Sequence, residues 1–465
     1  MKKFDLAVIG AGPGGYVTAI KAAHLGLNTV VFEKEYVGGV CLNVGCIPSK
    51  ALIKSAHVFD EMKEAASYGL TLGAGAKPEV DWPVLMKRKE DIVQKLTGGV
   101  RGLLKGAGAT LVEGFATVKD ANHIECNGEM YEVKNMILAL GSSPSYPNVP
   151  GLKEAVEKGD VIDSTGALSL PKKPKDMIVI GGGVIALELA SVYNSFGTQV
   201  TMVQRSPKIL TGMDEDIRTE MGKVATKAGI NLITGTKLLE VNGKTVKYEK
   251  DGKTFELSAE VVLCTLGRSV NTAGIEALNL KMEDKRVKVD EYYRTSVPGV
   301  YAIGDMSSPL QLAHVASAEG LCALDHLMGK PRKLNYNHMP SVVYGAPEAA
   351  AVGMTEEEVK AAGIEYEVAK FPVAANGKSM ASGDSVGFIK IISDKKIGEI
   401  LGVHMVSSAA SDMIAEGVMV MELEGTPVEI GNSVHPHPTN CEMIMEAAHM
   451  IEGYPIHVGM PKKKK

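Results

Sequence analysis

Cys41 and Cys46, in Cys41-Leu42-Asn43-Val44-Gly45-Cys46, follow closely on a glycine-rich turn and are the residues of this chain best suited to redox chemistry. A disulfide needs Cα atoms within about 7 Å, and a segment this short with Gly45 inside it can supply that geometry. Such a small loop gains little from cross-linking, and a chain of 465 residues buries a core without covalent staples, so structural benefit is a poor reason for the pair. Reactivity is a better one. In Cys46-Ile47-Pro48-Ser49-Lys50 a cation lies near the second thiol and favours a thiolate if the segment folds back or opens a helix. Spacing alone leaves a second reading open, in which both cysteines are buried reduced thiols.

A dithiol that is oxidised, or a disulfide that is reduced, needs a group to take or give a thiol proton. His437 is the candidate, in His435-Pro436-His437-Pro438-Thr439-Asn440-Cys441-Glu442. Prolines on both sides fix the approach of its imidazole. Glu442, in the first turn of a helix expected over 441–451, can reach back to one ring nitrogen, set the tautomer and leave the other nitrogen as base. A structural histidine and a metal site at His435 and His437 are the competing readings. No Cys or carboxylate cluster at ligand spacing accompanies the two histidines, so no metal is expected.

Two segments read as dinucleotide-binding turns that would position these groups. In the first, a strand at 4–9 runs into Gly10-Ala11-Gly12-Pro13-Gly14-Gly15, a helix to about residue 26, and a strand at 28–32 ending at Glu33. Gly10 permits the tight turn, Gly12 lets amides approach a pyrophosphate, and Gly15 lets the helix close on the strand. The helix amino terminus offers its unpaired amides to the anion, and Glu33 is placed to accept from both ribose hydroxyls. The second runs from a strand at 175–180 through Gly181-Gly182-Gly183-Val184-Ile185-Ala186 and a helix to a strand at 199–203. Ala186 replaces the third glycine and is expected to hold the helix slightly farther from the strand. The last strand ends at Gln204-Arg205 instead of at an acid. A carboxylate there selects NAD and repels the 2′-phosphate of NADP, whereas Arg205, with Lys208, can accept that phosphate; the alternative is that Arg205 is a solvated surface charge. A third segment, 295–305, reads as a strand delivering Gly304 and Asp305 to its carboxyl end, where Asp305 can accept from a ribityl hydroxyl; an ordinary turn is the alternative.

A net charge of -5 gives no general attraction to nucleic acid or anionic membranes, and no uncharged stretch near 20 residues or signal-like amino terminus occurs, so no nucleic-acid or membrane partner is expected. Six cysteines, with Cys126, Cys264, Cys322 and Cys441 in unrelated contexts, do not make a secreted disulfide scaffold; a reducing compartment fits, and the chain reads as cytoplasmic. Length suggests about three domains. Pro461-Lys462-Lys463-Lys464-Lys465 reads as a solvated tail, with docking on an acidic partner as the alternative.

With Gly38-Gly39-Val40-Cys41 through Lys50, Ala139-Leu140-Gly141-Ser142, Gly267-Arg268-Ser269, Ala302-Ile303-Gly304-Asp305, Pro340-Ser341-Val342-Val343-Tyr344 and His437-Pro438-Thr439, nearly the whole chain resembles the flavin-dependent pyridine nucleotide-disulfide oxidoreductases. Tyr16 and Ile47-Pro48-Ser49-Lys50 are similar to the lipoamide branch. The resemblance implies an α/β fold with two Rossmann-like dinucleotide-binding domains, for FAD and NAD(P), and a C-terminal α+β dimerisation domain. Its expected boundaries are 1–148 for FAD, 149–268 for NAD(P), 269–335 returning to the FAD domain, and 336–465 for the interface.

It also implies roles. FAD would meet Gly10, Gly12, Gly14, Gly15, Glu33, Lys34, Gly39, Lys50, Gly114, Gly141, Ser142, Asp305 and Ala313. The nicotinamide nucleotide would meet Gly181, Gly183, Val184, Ile185, Glu188, Gln204, Arg205 and Gly267. Cys41 would exchange with lipoamide and Cys46 would contact the flavin. Lys50 paired with Glu188 would stabilise charge on the reduced ring, a surface ion pair worth at most about 1 kcal/mol being the alternative. In a homodimer, His437 and Glu442 of one subunit would serve the thiols of the other. The implied reaction is oxidation of dihydrolipoamide on a lipoylated carrier, of a 2-oxoacid dehydrogenase complex or a glycine cleavage system, with NAD as acceptor. Three positions depart from the pattern: Val40 stands for Thr, Asn440-Cys441 for Leu-Ser, with Cys441 read as inert, and Gln204 for Glu. Ala186, Gln204 and Arg205 support an NADPH-dependent disulfide reductase as the alternative. A non-catalytic flavoprotein scaffold and a soluble transhydrogenase are weaker ones.

Overall fold

Leu6, Ala7 and Val8 are fully buried in the strand Lys2–Ile9, and a strand apolar on both faces belongs at the centre of a covered parallel sheet. In the computed structural model, which describes residues 1–459 except 72, 74 and 75, this strand pairs in parallel with Thr29–Glu33 on one side and Glu129–Leu138 on the other. Thr110–Glu113 extends the first side, and Val300–Ala302 returns from far along the chain to lie parallel against Glu129–Leu138. Thr117–Asp120 and His123–Cys126 complete a seven-stranded sheet as an antiparallel edge. The lysine tail read above lies outside the described residues.

The second sheet is wholly parallel, in the order Asn231–Ile233, Gln199–Val203, Asp176–Ile180, Val261–Cys264, Val161–Ile162. The third is antiparallel, in the order Ser341–Val343, Glu348–Gly353, Ile400–Ser407, Phe388–Asp394, Tyr366–Pro372. Helices Ala410–Glu422 and Glu442–Ile451 pack against it. The fold is therefore α/β, with two glycine-turn sheets, the first mixed and the second parallel, and an α+β carboxy-terminal unit. Among the described residues no helix is long and apolar enough to cross a membrane.

One apolar cluster joins these units around the cysteine segment. Leu52, Ile53 and Ala56 of helix Cys46–Glu64 share a core with Leu187, Val192 and Phe196, and with Val343 and Val406 of the third sheet. The helix that carries Cys46 is thereby fixed to the second and third sheets, though it grows from the first.

Candidate active site

Cys41 sits in the short helix Gly39–Val44, Gly45 breaks it, and Cys46 opens the 19-residue helix Cys46–Glu64. Of the two arrangements the sequence allowed for Lys50, the structure takes the helical one, with Lys50 one turn in. Cys46 therefore meets the positive end of a long helix as well as a cation, and both stabilise a thiolate. The two cysteines are free thiols, each partly buried. The hydrogen bond with Cys41 holds the Cys46 thiol down at about 7, burial opposing it and Lys50 assisting. The same contact, with burial, drives Cys41 far above the ordinary thiol value. One proton thus stays on Cys41 while Cys46 ionises near neutrality. Val40, beside them, is exposed and offers no hydroxyl to either sulfur.

Lys50 Nζ lies 2.9 and 3.1 Å from the carboxylate oxygens of Glu188, which is only 4% exposed, so this is not the surface pair of the alternative reading. Burial pushes the Glu188 carboxyl up, and Lys50 and the Tyr344 amide pull it back. Tyr344 completes the group: its N–H donates to Glu188 at 3.1 Å, and Lys50 Nζ stands 4.2 Å from its ring centroid. The sequence reading gave Tyr344 no role. A lone acid inside the apolar helix Val184–Ser195 was the only local signal for this node.

The first glycine turn has the shape of a dinucleotide cradle. Gly10 has φ of +101°, and a Cβ there would fall 2.3 Å from the Ala139 carbonyl oxygen. Gly39 has φ of +64°, and its Cβ would fall 2.5 Å from Gly12 Cα, so the cysteine segment approaches the turn as closely as two glycines permit. Gly14 and Gly15 lie buried in helix Pro13–His24, whose proline at the start fits the first turn. Glu33 Oε2 accepts from Ala11 N at 2.7 Å, and Oε1 accepts from the amides of Glu35 and Tyr36. These three amides fix the carboxylate at the end of its strand, where the ribose hydroxyls of an adenosine are expected. Gly114 N donates to the Glu33 carbonyl, and Lys34 is exposed beside it.

At the other end of the cradle, Gly141 precedes Ser142, which donates to Asp305 Oδ2. Arg268, to which the sequence assigns no role of its own, donates to Ser142 Oγ at 2.7 Å and to its carbonyl at 2.6 Å, and lies 3.9 Å from Asp305 Oδ2. Asp305 Oδ1 has no hydrogen-bond partner among the described residues and is available to a ribityl hydroxyl. Buried Glu319 fixes the Gly304 turn by accepting from Gly304 N at 2.6 Å and from the Tyr336 hydroxyl at 2.5 Å. Ala313 opens the helix Ala313–Leu327. Paired glycines, a helix amino terminus and a free carboxylate oxygen fit the FAD the resemblance implies.

At the second turn Gly181 and Gly183 lead into helix Val184–Ser195, where Val184 and Ile185 are exposed and Ala186 is fully buried. Gln204 folds back on the turn, so that a Cβ on Gly182 would meet its Cδ at 2.8 Å. Arg205 is exposed, and its guanidinium has no partner among the described residues. Lys208, expected to assist it, is instead bound to Glu215 and, at 2.8 Å, to Thr219. Gly267 has φ of +122° and lies beyond the end of Val261–Cys264.

His437 Nδ1 lies 2.8 Å from Glu442 Oε1, and the other carboxylate oxygen accepts from Thr439 N at 2.7 Å. Partial burial raises the Glu442 carboxyl, and the bonds from Thr439 and His437 overcome that and hold it below its usual range. The imidazole is thus oriented through one nitrogen with the other free, 79% exposed and joined by no hydrogen bond to either thiol of its own chain. His435 has no nitrogen left for a ligand shared with His437, since Glu416 and the Ser433 carbonyl take both. Cys441 packs against the carboxy-terminal core, and burial pushes its thiol up, away from reactivity.

Known proteins are similar to this chain in sequence and in fold. Residues 4–320 match the family model described as pyridine nucleotide-disulphide oxidoreductase, and residues 339–448 match the dimerisation domain of the same family. The chain is 42% identical to a dihydrolipoyl dehydrogenase of Geobacillus stearothermophilus, covering 98% of this chain and 97% of that one. It is 40% identical to one of Bacillus subtilis, covering 98% and 99%. Among solved structures, an HOCl-induced flavoprotein disulfide reductase from Escherichia coli, as a Cu(II) complex, superposes with a TM-score of 0.86 at 23% identity, over 97% of this chain and 100% of that one, a likeness of fold. With one family model spanning the thiol pair and the other spanning His437, the chain belongs to the pyridine nucleotide-disulphide oxidoreductase family.

Proposed function

We propose that the protein is a homodimeric dihydrolipoyl dehydrogenase, which oxidises the dihydrolipoamide of a lipoylated carrier and passes the electrons through FAD to NAD. The observation that carries this reading is the inequality of the two thiols: Cys46 at a helix amino terminus beside Lys50 is a good leaving group, and Cys41 is not.

From a Cys41–Cys46 disulfide the chemistry follows. A substrate thiolate attacks Cys41 Sγ, the S–S bond breaks, and Cys46 departs as a thiolate without needing a proton. His437 takes the proton of the second substrate thiol, which attacks the mixed disulfide and closes the lipoamide ring. Cys41 leaves as a thiolate and takes the proton that His437 accepted. Two electrons have then moved from substrate to the cysteine pair, and His437 has handled a proton at the nitrogen that Glu442 leaves free. The first glycine turn, Glu33, Gly39, Ser142 and Asp305 would hold FAD, which would supply two-electron chemistry between dithiol and nicotinamide. Lys50, fixed in position by buried Glu188, would be the cation beside it.

The exposure of His437 and its lack of contact with its own thiols support a site completed by a second subunit, where His437 would serve the thiol pair of the other chain. Heterodimers that combine a Cys46→Ser chain with a His437→Gln chain are therefore expected to recover one intact site of two, about half the wild-type rate per dimer, while both variant homodimers stay inactive. Purified heterodimers as inactive as their parents would place the whole site in one chain.

The test of the function is anaerobic dihydrolipoamide oxidation by the flavin-loaded protein with NAD and NADP in parallel. Turnover with NAD is expected. Turnover with NADP alone would favour the disulfide-reductase reading, for which unpaired Arg205 beside neutral Gln204 is the supporting observation.

A further inference from the structure

Lys390 lies in the middle of the third sheet, in Phe388–Asp394, and is 2% exposed. A buried ammonium is costly unless each of its protons finds an acceptor. Here they do. Asp214 receives it at 3.0 Å through both oxygens, Asp216 at 2.9 Å and Glu356 at 2.7 Å. Lys370 binds Asp216 at 2.8 Å and Lys360 binds Glu356 at 2.7 Å, so three cations balance three carboxylates. Asp214 Oδ2 also accepts from Glu356 N at 3.1 Å. Asp214 and Asp216 belong to the second unit, and Lys390 and Glu356 to the third. Neither the proposed thiol chemistry nor the flavin cradle uses any of them.

The segment that ends at Asp214 begins at the second glycine turn. Gln204 lies against Gly182, and Leu210 N donates to the Gly182 carbonyl at 2.7 Å. Leu210 is buried in a left-handed conformation, φ +55°, which a leucine keeps only where its surroundings impose it. Met213 N bonds back to the Leu210 carbonyl, and Asp214 caps helix Glu215–Lys227. Residues 204–214 are therefore held at one end and in the middle by the glycine turn, and at the far end by Lys390.

We propose that Lys390 is a positioning residue for the nicotinamide nucleotide: by clamping Asp214 from the third unit it sets the 204–214 segment against Gly182, an inference that rests on the reading of the second turn as the nicotinamide site. The carboxy-terminal unit then serves both half-reactions, the thiol step through His437 and nucleotide binding through Lys390. A loosened clamp weakens nucleotide binding and leaves the thiol chemistry alone.

The experiment is anaerobic titration of the fully reduced holoenzyme, which NADH cannot reduce further, with NADH by fluorescence, alongside steady-state kinetics in which each substrate is varied. For Lys390→Met, the NADH dissociation constant and the KM for NAD are expected to rise about tenfold, with kcat and the KM for dihydrolipoamide within about twofold of wild type. Lys390→Arg, which keeps the charge, should recover most of the binding. If Lys390→Met does not fold, Glu356→Gln keeps the Lys390–Asp214 bonds but frees one side of the clamp, and a rise of about threefold in both constants is expected. Unchanged NADH binding in a folded variant, or equal losses for both substrates, overturns the inference alone. A wild-type protein that binds no NADH overturns the nicotinamide reading and the inference with it.

Discussion

Holoenzyme carrying Cys46→Ser is expected to lose dihydrolipoamide oxidation by about four to six decades, the scale on which enzymes lose turnover when a residue of the covalent step is removed. The hydroxyl is nearly isosteric, so the fold and the first glycine turn should be retained. NADH consumption with an artificial electron acceptor, which bypasses the thiols, should therefore persist. Dihydrolipoamide oxidation that survives in this variant would sink the mechanism. The reduced wild-type protein offers an independent check on the same thiol. Its alkylation by iodoacetamide at Cys46 should rise with pH around a midpoint of about 7, since the thiolate reacts and is lost as pH falls below that value. Cys41→Ala removes the hydrogen bond that does most to lower Cys46, and Lys50→Met removes the nearby cation, so each should move the midpoint upward. A wild-type midpoint at the ordinary thiol value would mean that the helix terminus, Cys41 and Lys50 do not stabilise this sulfur.

What the sequence disclosed about this site was local. The glycine turns are legible because strand, glycines, helix and the acid that ends the next strand follow one another directly along the chain, as from Gly10 to Glu33. His437 and Glu442 are legible for the same reason, being one helix turn and a proline apart. The opposite holds for Arg268 and Ser142, 126 positions apart, and for Lys390 and Asp214, 176 apart, which no periodicity brings together. Lys50 and Glu188, 138 apart, entered only through the family resemblance; burial of Glu188 and its bond to Tyr344 then distinguish the pair from a surface contact. At Glu33 the place of the carboxylate is legible, and the bonds that hold it there are not. Its position at the strand end is set by the turn, but it also accepts from the backbone amides of Ala11, Glu35 and Tyr36. Lys208 is a similar case: a cation near Arg205 in sequence that an acid on the following helix has taken.

His437→Gln should slow dihydrolipoamide oxidation by about two to four decades, the range typical of a lost general base, with FAD still bound because the imidazole lies in a different unit from the cradle. The pH profile separates this from a structural effect. With His437 present, the enzyme supplies the base that ionises the attacking thiol. Without it, only substrate thiol already ionised in solution can attack, so the residual rate should climb about tenfold per pH unit until the substrate's own ionisation is reached. Glu442→Gln keeps the shape of the pair but faces the imidazolium with a neutral group, and the Thr439 amide keeps an acceptor. Its loss should be smaller than that of His437→Gln and should follow the same direction. A His437→Gln enzyme that merely misplaces the interface would instead lose NADH-driven reduction of lipoamide and dihydrolipoamide oxidation at every pH in equal proportion. Full turnover in that variant would remove His437 from the reaction and leave its carboxylate partner without a chemical purpose.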